Sequence, residues 1–258
     1  MPIGLGVGLV LQTASVFFVF YFDRRLGIAN GICSSGSPIG TLALAPLFQF
    51  LIDEYGWRGT TVITSAIMAH VIICAILLKS SSREKQKQNG ASIWREIARD
   101  FEFSLWCRNG RFVFGALNGL WIGIGYNTAV IYVIPYAIDI GTAKMKASFL
   151  LSIFGISSLI GRLSHGWLID KHIILPTHLN AVCWLICGLT MLLAPISNTY
   201  ITFATLMVIF GFFSGIGHSL IFIILRNAVG TQNSSNAYAW FLTWGGIGSM
   251  SGIYIAGK

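Results

Sequence analysis

Residues 21–40, YFDRRLGIANGICSSGSPIG, decide the fold of this chain. A charged cluster at residues 23–25 separates two long apolar runs, and the second run is rich in glycine. In that second run Gly27, Gly31 and Ser35 recur every four residues. Small side chains at this spacing share one helix face, which lets another backbone approach closely in lipid. The stretch therefore predicts a charged turn at a membrane surface, followed by a tightly packed spanning helix.

The composition of the whole chain favours an integral membrane protein. Of its 258 residues, 55% are hydrophobic and 10% are charged, whereas about 25% of residues are charged in ordinary soluble domains. The formal net charge is +8, but the basic residues lie mostly between apolar runs. The positive-inside rule explains that distribution without a polyanionic partner. We therefore expect the chain to lie in a lipid bilayer and to bind no nucleic acid.

Apolar runs of about 20 residues, long enough to cross the hydrocarbon core, recur along the sequence. We predict eight spans, at residues 3–22, 27–51, 59–78, 112–137, 147–169, 173–195, 200–225 and 237–257. Three of them fall in residues 1–78 and five in residues 112–258, on either side of a polar loop at residues 79–111. The loop carries eight lysines and arginines against four acids. The positive-inside rule therefore places it in the cytoplasm.

The polar loop contains one stretch with helical periodicity. Ile93, Ile97, Phe101 and Leu105 recur every four residues among charged neighbours. This pattern predicts a short amphipathic helix, for which we weigh two positions. It lies at the inner membrane surface, or it belongs to a solvated linker that packs on the helix bundle.

The motif at the opening stretch resembles the signature of the monocarboxylate transporter family, within the major facilitator superfamily. The matching residues are Tyr21, Phe22, Arg24, Arg25, Ile28, Ala29, Gly31 and Gly36. Further similarity runs along the whole chain, including residues 53–59, 125–137 and 149–170. The resemblance implies an all-α helical bundle in which our eight spans correspond to family helices 4–11. On that basis we expect a member truncated at both its amino and carboxyl ends.

Arg162 is the leading candidate for binding a solute, because it is the only Lys, Arg, Asp or Glu well inside a predicted span. A charge at the centre of a spanning helix costs about 3 kcal/mol on insertion scales, so it is usually functional or paired. The alternative is that the side chain snorkels towards the cytoplasmic end of its helix at Asp170. The resemblance implies that Arg162 binds the carboxylate of the solute, for which guanidinium offers two parallel donors.

Ser158, one helical turn before Arg162, departs from the pattern of the proton-coupled members of the family. Those members have an aspartate here that pairs with the arginine and takes part in proton coupling. A serine cannot carry a proton as an aspartate does. Relatives that lack the aspartate include carriers of neutral or aromatic substrates, so the solute class stays open.

Two aromatic residues complete the predicted substrate site. Phe212 resembles the aromatic residue of the tenth family helix that shapes the pocket, and Tyr126 lies in a span where it could face a cavity. Asn127 and His218 lie in spans as well. For each of these residues the alternative is a purely structural role, in packing or in hydrogen bonding.

A second set of residues is predicted to control conformation. Asp170 and Lys171 resemble the cytoplasmic charge motif of the superfamily, whose charge pairs hold one rocking state and release it in the other. Four residues of the opening motif are predicted to control conformation in the same way, namely Arg24, Arg25, Gly31 and Gly36. For the two arginines the alternative is that they only anchor the topology of the chain in the membrane.

The sequence contains no HExxH, GxSxG or P-loop pattern, so we predict neither an enzyme nor a metal or other cofactor. The resemblance implies a secondary transporter at the plasma membrane. It would move monocarboxylates or related small carboxyl-bearing solutes by alternating access, as a proton symporter or without a proton. An ancillary single-span protein escorts some relatives. The alternative is a truncated, non-transporting membrane protein that associates with a full-length carrier or regulates it.

Overall fold

A computed structural model describes residues 26–77, 110–170, 174–197, 199–230 and 233–257. The helices are α1 (Leu26–Ser34), α2 (Gly36–Leu77), α3 (Gly110–Ile122), α4 (Thr128–Asp139), α5 (Lys144–Asp170), α6 (Pro176–Leu193), α7 (Tyr200–Val229) and α8 (Ser234–Ala256). A π-helical turn, Gly123–Asn127, joins α3 to α4, and a 3-10 turn, Ala194–Ile196, follows α6. Within these ranges the chain has no strand. The all-α prediction is confirmed.

Five helical segments of the described chain are long and apolar enough to cross a membrane. They are Gly27–His70, Phe112–Asp139, Lys144–Gly166, Pro176–Ile196 and Tyr200–Val229. Backbone polar groups have no water partners in lipid, so helices that satisfy their own hydrogen bonds are the expected spanning elements. The chain is a multi-pass integral membrane protein.

The predicted break between the spans at residues 27–51 and 59–78 is present in the structure. The range Gly36–Leu77 consists of two helices that meet at Gly56, whose φ of 64° and ψ of 177° are not helical. A positive φ of this kind favours glycine, which has no Cβ to clash. The structure adds a second interruption at Ser35, between α1 and α2, inside the predicted span at residues 27–51.

Only one of the two predicted spans at the ends of the chain can be compared with the structure. The span at residues 3–22 lies outside the described residues. The span at residues 237–257 corresponds to α8, a helix of 23 residues. Glycine and serine are frequent in α8, which is not one of the five segments of the described chain named above.

The described helices fall into two compact units. The first unit comprises Met1–Pro46 and Ser104–Lys258, and the second comprises Leu47–Phe103. In the second unit the helix bend at Gly56 is followed by a local hydrogen bond, in which the Thr60 hydroxyl donates to the Gly56 carbonyl over 2.8 Å. The residues of the candidate functional site belong to the first unit.

Helices α5 and α7 share the most extensive contact in the first unit. Glycines make their close approach possible, since a Cβ at Gly161 would overlap the carbonyl oxygen of Phe212 on α7. A Cβ at Gly215 would likewise overlap the carbonyl oxygen of Ser158 on α5. Small residues are the usual means by which spanning helices bring their backbones together.

Helix α3 and the π-helical turn pack against α8 by the same device. A Cβ at Gly119 or Gly123 would overlap a carbonyl oxygen of α8, and one at Gly248 would overlap a carbonyl oxygen of α3. The side-chain amide of Asn127 donates a hydrogen bond to the Ser249 hydroxyl across the same interface. This contact matches the structural alternative that we weighed for Asn127.

Candidate functional site

Arg162 lies on α5 at the point where α5 meets the end of α1. Its side chain is 8% exposed, and its Nη1 donates a hydrogen bond to the backbone carbonyl of Ser34 over 2.6 Å. The Nε atom is buried and has no hydrogen-bond partner within the described part of the chain. The Nε side of the guanidinium therefore retains a donor for an incoming acceptor.

The backbone chemistry of α1 explains why Ser34 accepts this hydrogen bond. In a continuous helix the Ser34 carbonyl would accept from the N–H of the residue four positions later, which is Pro38. Proline has no N–H, so that bond cannot form. Ser34 is also the last residue of α1, where carbonyls are left without helical partners and the helix dipole favours a cation. Arg162 supplies both the donor and the charge.

Glycines bring α1 close enough to α5 for this contact. A Cβ at Gly31 would overlap the carbonyl oxygen of Arg162 itself. One turn of α5 further on, a Cβ at Gly166 would lie 2.8 Å from the backbone of Ile28. The close helix approach that we predicted from the small residues Gly27, Gly31 and Ser35 therefore occurs beside Arg162.

Helix α1 is also hydrogen-bonded to α7. The Ser34 and Ser219 hydroxyls lie 3.1 Å apart, and the side-chain amide of Asn30 donates to the Ser219 carbonyl. Ser34 therefore contacts α5 through its carbonyl and α7 through its hydroxyl. Three helices meet around the Arg162 guanidinium.

A group of five rings, which we call the aromatic group, lies in the same unit. Its members are Tyr126, Phe154, Trp184, Phe210 and His218. Tyr126 is its centre, since its ring centroid is 4.2 Å from that of His218, 5.8 Å from that of Phe210 and 6.1 Å from that of Trp184. The Arg162 guanidinium is near enough to interact electrostatically with Tyr126 and His218. The aromatic group and the buried cation thus belong to one region.

A cavity of about 280 Å³ opens beside the aromatic group. Its wall includes Trp121, Tyr126, Trp184, Met191 and Phe210. Small-molecule sites in proteins are typically concave, mostly apolar and of about 300 Å³ or more. The cavity is therefore close to the size of a small organic solute, and four of its lining residues are aromatic.

Of the four predicted substrate residues, Tyr126 lines the cavity, and Arg162 lies within electrostatic range of Tyr126. Ser158 is 1% exposed and is packed against Gly215 in the interface between α5 and α7. The Phe212 ring contacts Phe213 at 5.3 Å and packs on a separate cluster that contains Ile169. Phe210, which the sequence reasoning did not single out, is the α7 aromatic that contacts Tyr126.

The residues of the predicted conformational motifs are only partly described. Gly31 packs tightly on α5, whereas in the part of the chain that the structure describes no atom lies within 4 Å of the place where a Cβ of Gly36 would stand. Asp170 is the last residue of α5. The other three, Arg24, Arg25 and Lys171, lie outside the described residues.

Sequence reasoning missed Ser34 and Asn30, which join α1 to α5 and α7. Neither side chain is unusual in a spanning helix, and the Ser34 contact with Arg162 is made by a backbone atom. The available signal was Pro38, because a proline inside an apolar run frees the carbonyl four residues earlier. Pro38 therefore indicates that the Ser34 carbonyl is available as an acceptor, but it does not indicate which donor binds that carbonyl.

Comparison with known proteins places the fold and the site in context. Residues 1–253 match the family model described as Major Facilitator Superfamily. The chain is similar to "Monocarboxylate transporter 12" of Xenopus laevis, with 30% identity over 91% of this chain and 55% of that protein. It is also similar to "Monocarboxylate transporter 2" of Rattus norvegicus, with 30% identity over 91% of this chain and 52% of that protein.

A third relative is "Monocarboxylate transporter 13" of Rattus norvegicus, which is 32% identical over 88% of this chain and 52% of that protein. The chain spans about half the length of the relatives it matches. These similarities extend over nearly all of the chain, including the helices that hold Arg162 and the aromatic group.

Proposed function

Because the chain belongs to the major facilitator superfamily, we propose that it is a secondary transporter that moves small carboxyl-bearing solutes by alternating access. The family recognised from the opening motif is confirmed, since the relatives above are named monocarboxylate transporters. The names of those relatives support a carboxyl-bearing solute. The chemistry of this chain provides the rest of the support.

The observation that carries the proposal is the buried cation of Arg162. A charge inside a spanning segment is costly, and it is tolerated where it is paired or where it binds a substrate. In the described ranges Arg162 has one backbone acceptor, and no carboxylate forms an ion pair with it. A solute carboxylate would supply the missing negative charge and would accept from the Nε side. The snorkelling alternative is less well supported, because the side chain is buried against α1.

Alternating access is supported by the character of the contact around Arg162. Helix α1 meets α5 and α7 through glycines and a few hydrogen bonds, with hydroxyl, amide and carbonyl groups as partners. Such polar contacts can exchange their partners for water or solute when the helices separate. We propose that α1 and the α5–α7 pair move apart and together as the site opens to one side of the membrane and then the other.

The finer parts of the proposal rest on the resemblance. They are location in the plasma membrane and association with a single-span ancillary protein. Residues of this chain bear directly on proton coupling. Ser158 cannot carry a proton, and it is enclosed between α5 and α7. We therefore propose carboxylate transport that does not use a proton carried at position 158.

The test is uptake into vesicles that contain the protein purified from its complete coding sequence. We expect saturable uptake of radiolabelled lactate, acceleration by unlabelled lactate inside the vesicles, and no uptake of lactamide, which lacks the negative charge. An imposed pH gradient is expected to leave the initial rate nearly unchanged. Vesicles with correctly folded protein and no saturable carboxylate flux would contradict the proposal and favour the non-transporting alternative.

A further inference from the structure

His218 occupies a distinctive place on α7, between two aromatic rings and beside the Arg162 region. Its imidazole lies 4.2 Å from the Tyr126 ring and 5.1 Å from the Trp184 ring, measured between centroids. The next residue along α7 is Ser219, whose hydroxyl lies 3.1 Å from that of Ser34. Ser34 in turn accepts the hydrogen bond from Arg162. The imidazole is therefore held by packing in the aromatic group, within electrostatic range of the Arg162 guanidinium.

The hydrogen bond of His218 determines which ring nitrogen carries the proton. Its Nδ1 lies 3.1 Å from the backbone carbonyl of Ser214. A carbonyl oxygen only accepts hydrogen bonds, so Nδ1 must carry the proton and act as the donor. Enclosure between the Tyr126 and Trp184 rings disfavours the charged form of the imidazole, which leaves the ring neutral. In a neutral ring protonated at Nδ1, Nε2 is a hydrogen-bond acceptor.

The Nε2 acceptor is not used by the protein in the ranges that the structure describes, where His218 makes only the Nδ1 bond. A hydrogen-bonding group in a site built mainly of aromatic rings discriminates strongly between solutes that satisfy it and those that do not. Arg162 offers donors and His218 offers an acceptor. The pair is complementary to a solute that carries a carboxylate and, beside it, a hydrogen-bond donor.

We propose that His218 is a specificity-determining residue that accepts a hydrogen bond from a hydroxyl group adjacent to the carboxylate of the solute. This inference rests on the proposed function, since it assumes that Arg162 holds the carboxylate. It predicts that 2-hydroxy acids are preferred over 2-oxo acids of the same carbon skeleton. A 2-oxo group is an acceptor only, so it would face Nε2 lone pair to lone pair.

A purely structural role for His218 makes a different prediction. If the ring serves only to pack between Tyr126 and Trp184, its replacement should affect every carboxylate alike. The ratio of the two uptake rates separates these cases, because both solutes are measured on the same protein preparation. That ratio is independent of how much folded protein a variant yields.

The experiment compares lactate with pyruvate, and phenyllactate with phenylpyruvate, in the vesicle assay described above. The wild type is expected to prefer each hydroxy acid by about tenfold in kcat/KM, the scale of one hydrogen bond in an enclosed site. In His218→Phe, which keeps a ring but lacks the acceptor, the ratio should fall to about one. In His218→Gln, whose amide oxygen can take the place of Nε2, a preference should be retained. His178→Phe serves as the control, since His178 is exposed on α6.

The outcomes distinguish this inference from the function on which it rests. Carboxylate uptake without a hydroxy-acid preference in the wild type would overturn the role of His218 and leave the proposed function intact. A preference that persists unchanged in His218→Phe would overturn it as well. Absence of any carboxylate uptake by the wild type would overturn both. If His218→Phe does not fold, the absence of a hydroxy-acid preference in the wild type still overturns the role of His218.

Discussion

Replacement of Arg162 by alanine is expected to lower the uptake of carboxylates by about 100-fold or more, the scale seen when one partner of a buried, hydrogen-bonded charge pair is removed. Arg162 is 8% exposed, and its guanidinium donates to the Ser34 carbonyl, with Nε left for the solute. Alanine removes the only Lys, Arg, Asp or Glu between Lys146 and Asp170 on α5. Initial uptake rates, divided by the amount of protein in the membrane, measure the effect.

The conservative variant and a matched control sharpen this prediction. Arg162→Lys keeps the charge but loses the planar arrangement of donors, so we expect it to recover only a small part of the activity. Lys146 is an exposed cation near the start of the same helix, and Lys146→Ala should transport normally. Full uptake by Arg162→Ala, or an equal loss in Lys146→Ala, would show that the buried guanidinium is not the binding group.

Replacement of Gly31 by leucine is expected to prevent α1 from docking on α5, with loss of most of the folded protein. Even the Cβ of an alanine would overlap the Arg162 carbonyl oxygen, a backbone atom that cannot move without moving α5. Overpacking of a tight interface commonly costs about 1–3 kcal/mol, and a membrane protein of ordinary stability tolerates few such changes. Thermal unfolding of the detergent-solubilised protein measures the loss.

Gly36 provides the control for Gly31, because it belongs to the same sequence motif. No atom of the described residues lies within 4 Å of the place where its Cβ would stand, so Gly36→Leu should leave the unfolding temperature and the uptake nearly unchanged. Gly31→Ala should fall between the wild type and Gly31→Leu in stability. If the two leucine variants behave alike, the packing of α1 against Arg162 described above is wrong.

Much of the fold could be predicted from the sequence because lipid leaves few alternatives. A bilayer requires about 20 apolar residues per span and internal backbone hydrogen bonds, so hydropathy identifies most of the helices. The break between the predicted spans at residues 27–51 and 59–78 has a local cause. Charged residues mark it in the sequence, and Gly56 provides the change of direction through its positive φ.

The candidate site was harder to predict than the helices that hold it. Arg162 was identified by its charge, since a lone arginine in a span is conspicuous in any sequence. The choice between Phe210 and Phe212 depended on helix rotation, because residues two positions apart point to nearly opposite faces of a helix. The motif indicated Phe212, and the ring that contacts Tyr126 belongs to Phe210.

The stabilisation of the buried cation was the least predictable feature. Sequence reasoning looked for a carboxylate one turn before Arg162 and found Ser158. The acceptor is instead the Ser34 carbonyl, 128 residues away in the chain, which is available because Pro38 lacks an N–H. Backbone acceptors of this kind have no side-chain signature, so only the arrangement of α1 against α5 reveals them.

The central claim, that Arg162 binds the carboxylate of the solute, is tested most directly by binding to the purified protein. The affinities of lactate and of its uncharged analogue lactamide are measured by titration calorimetry, with the wild type and with Arg162→Ala. We predict that the wild type prefers the carboxylate by at least about tenfold and that Arg162→Ala binds both solutes equally weakly, as expected when one charge-assisted contact is lost. A preference for lactate that is as large in Arg162→Ala as in the wild type would contradict the account.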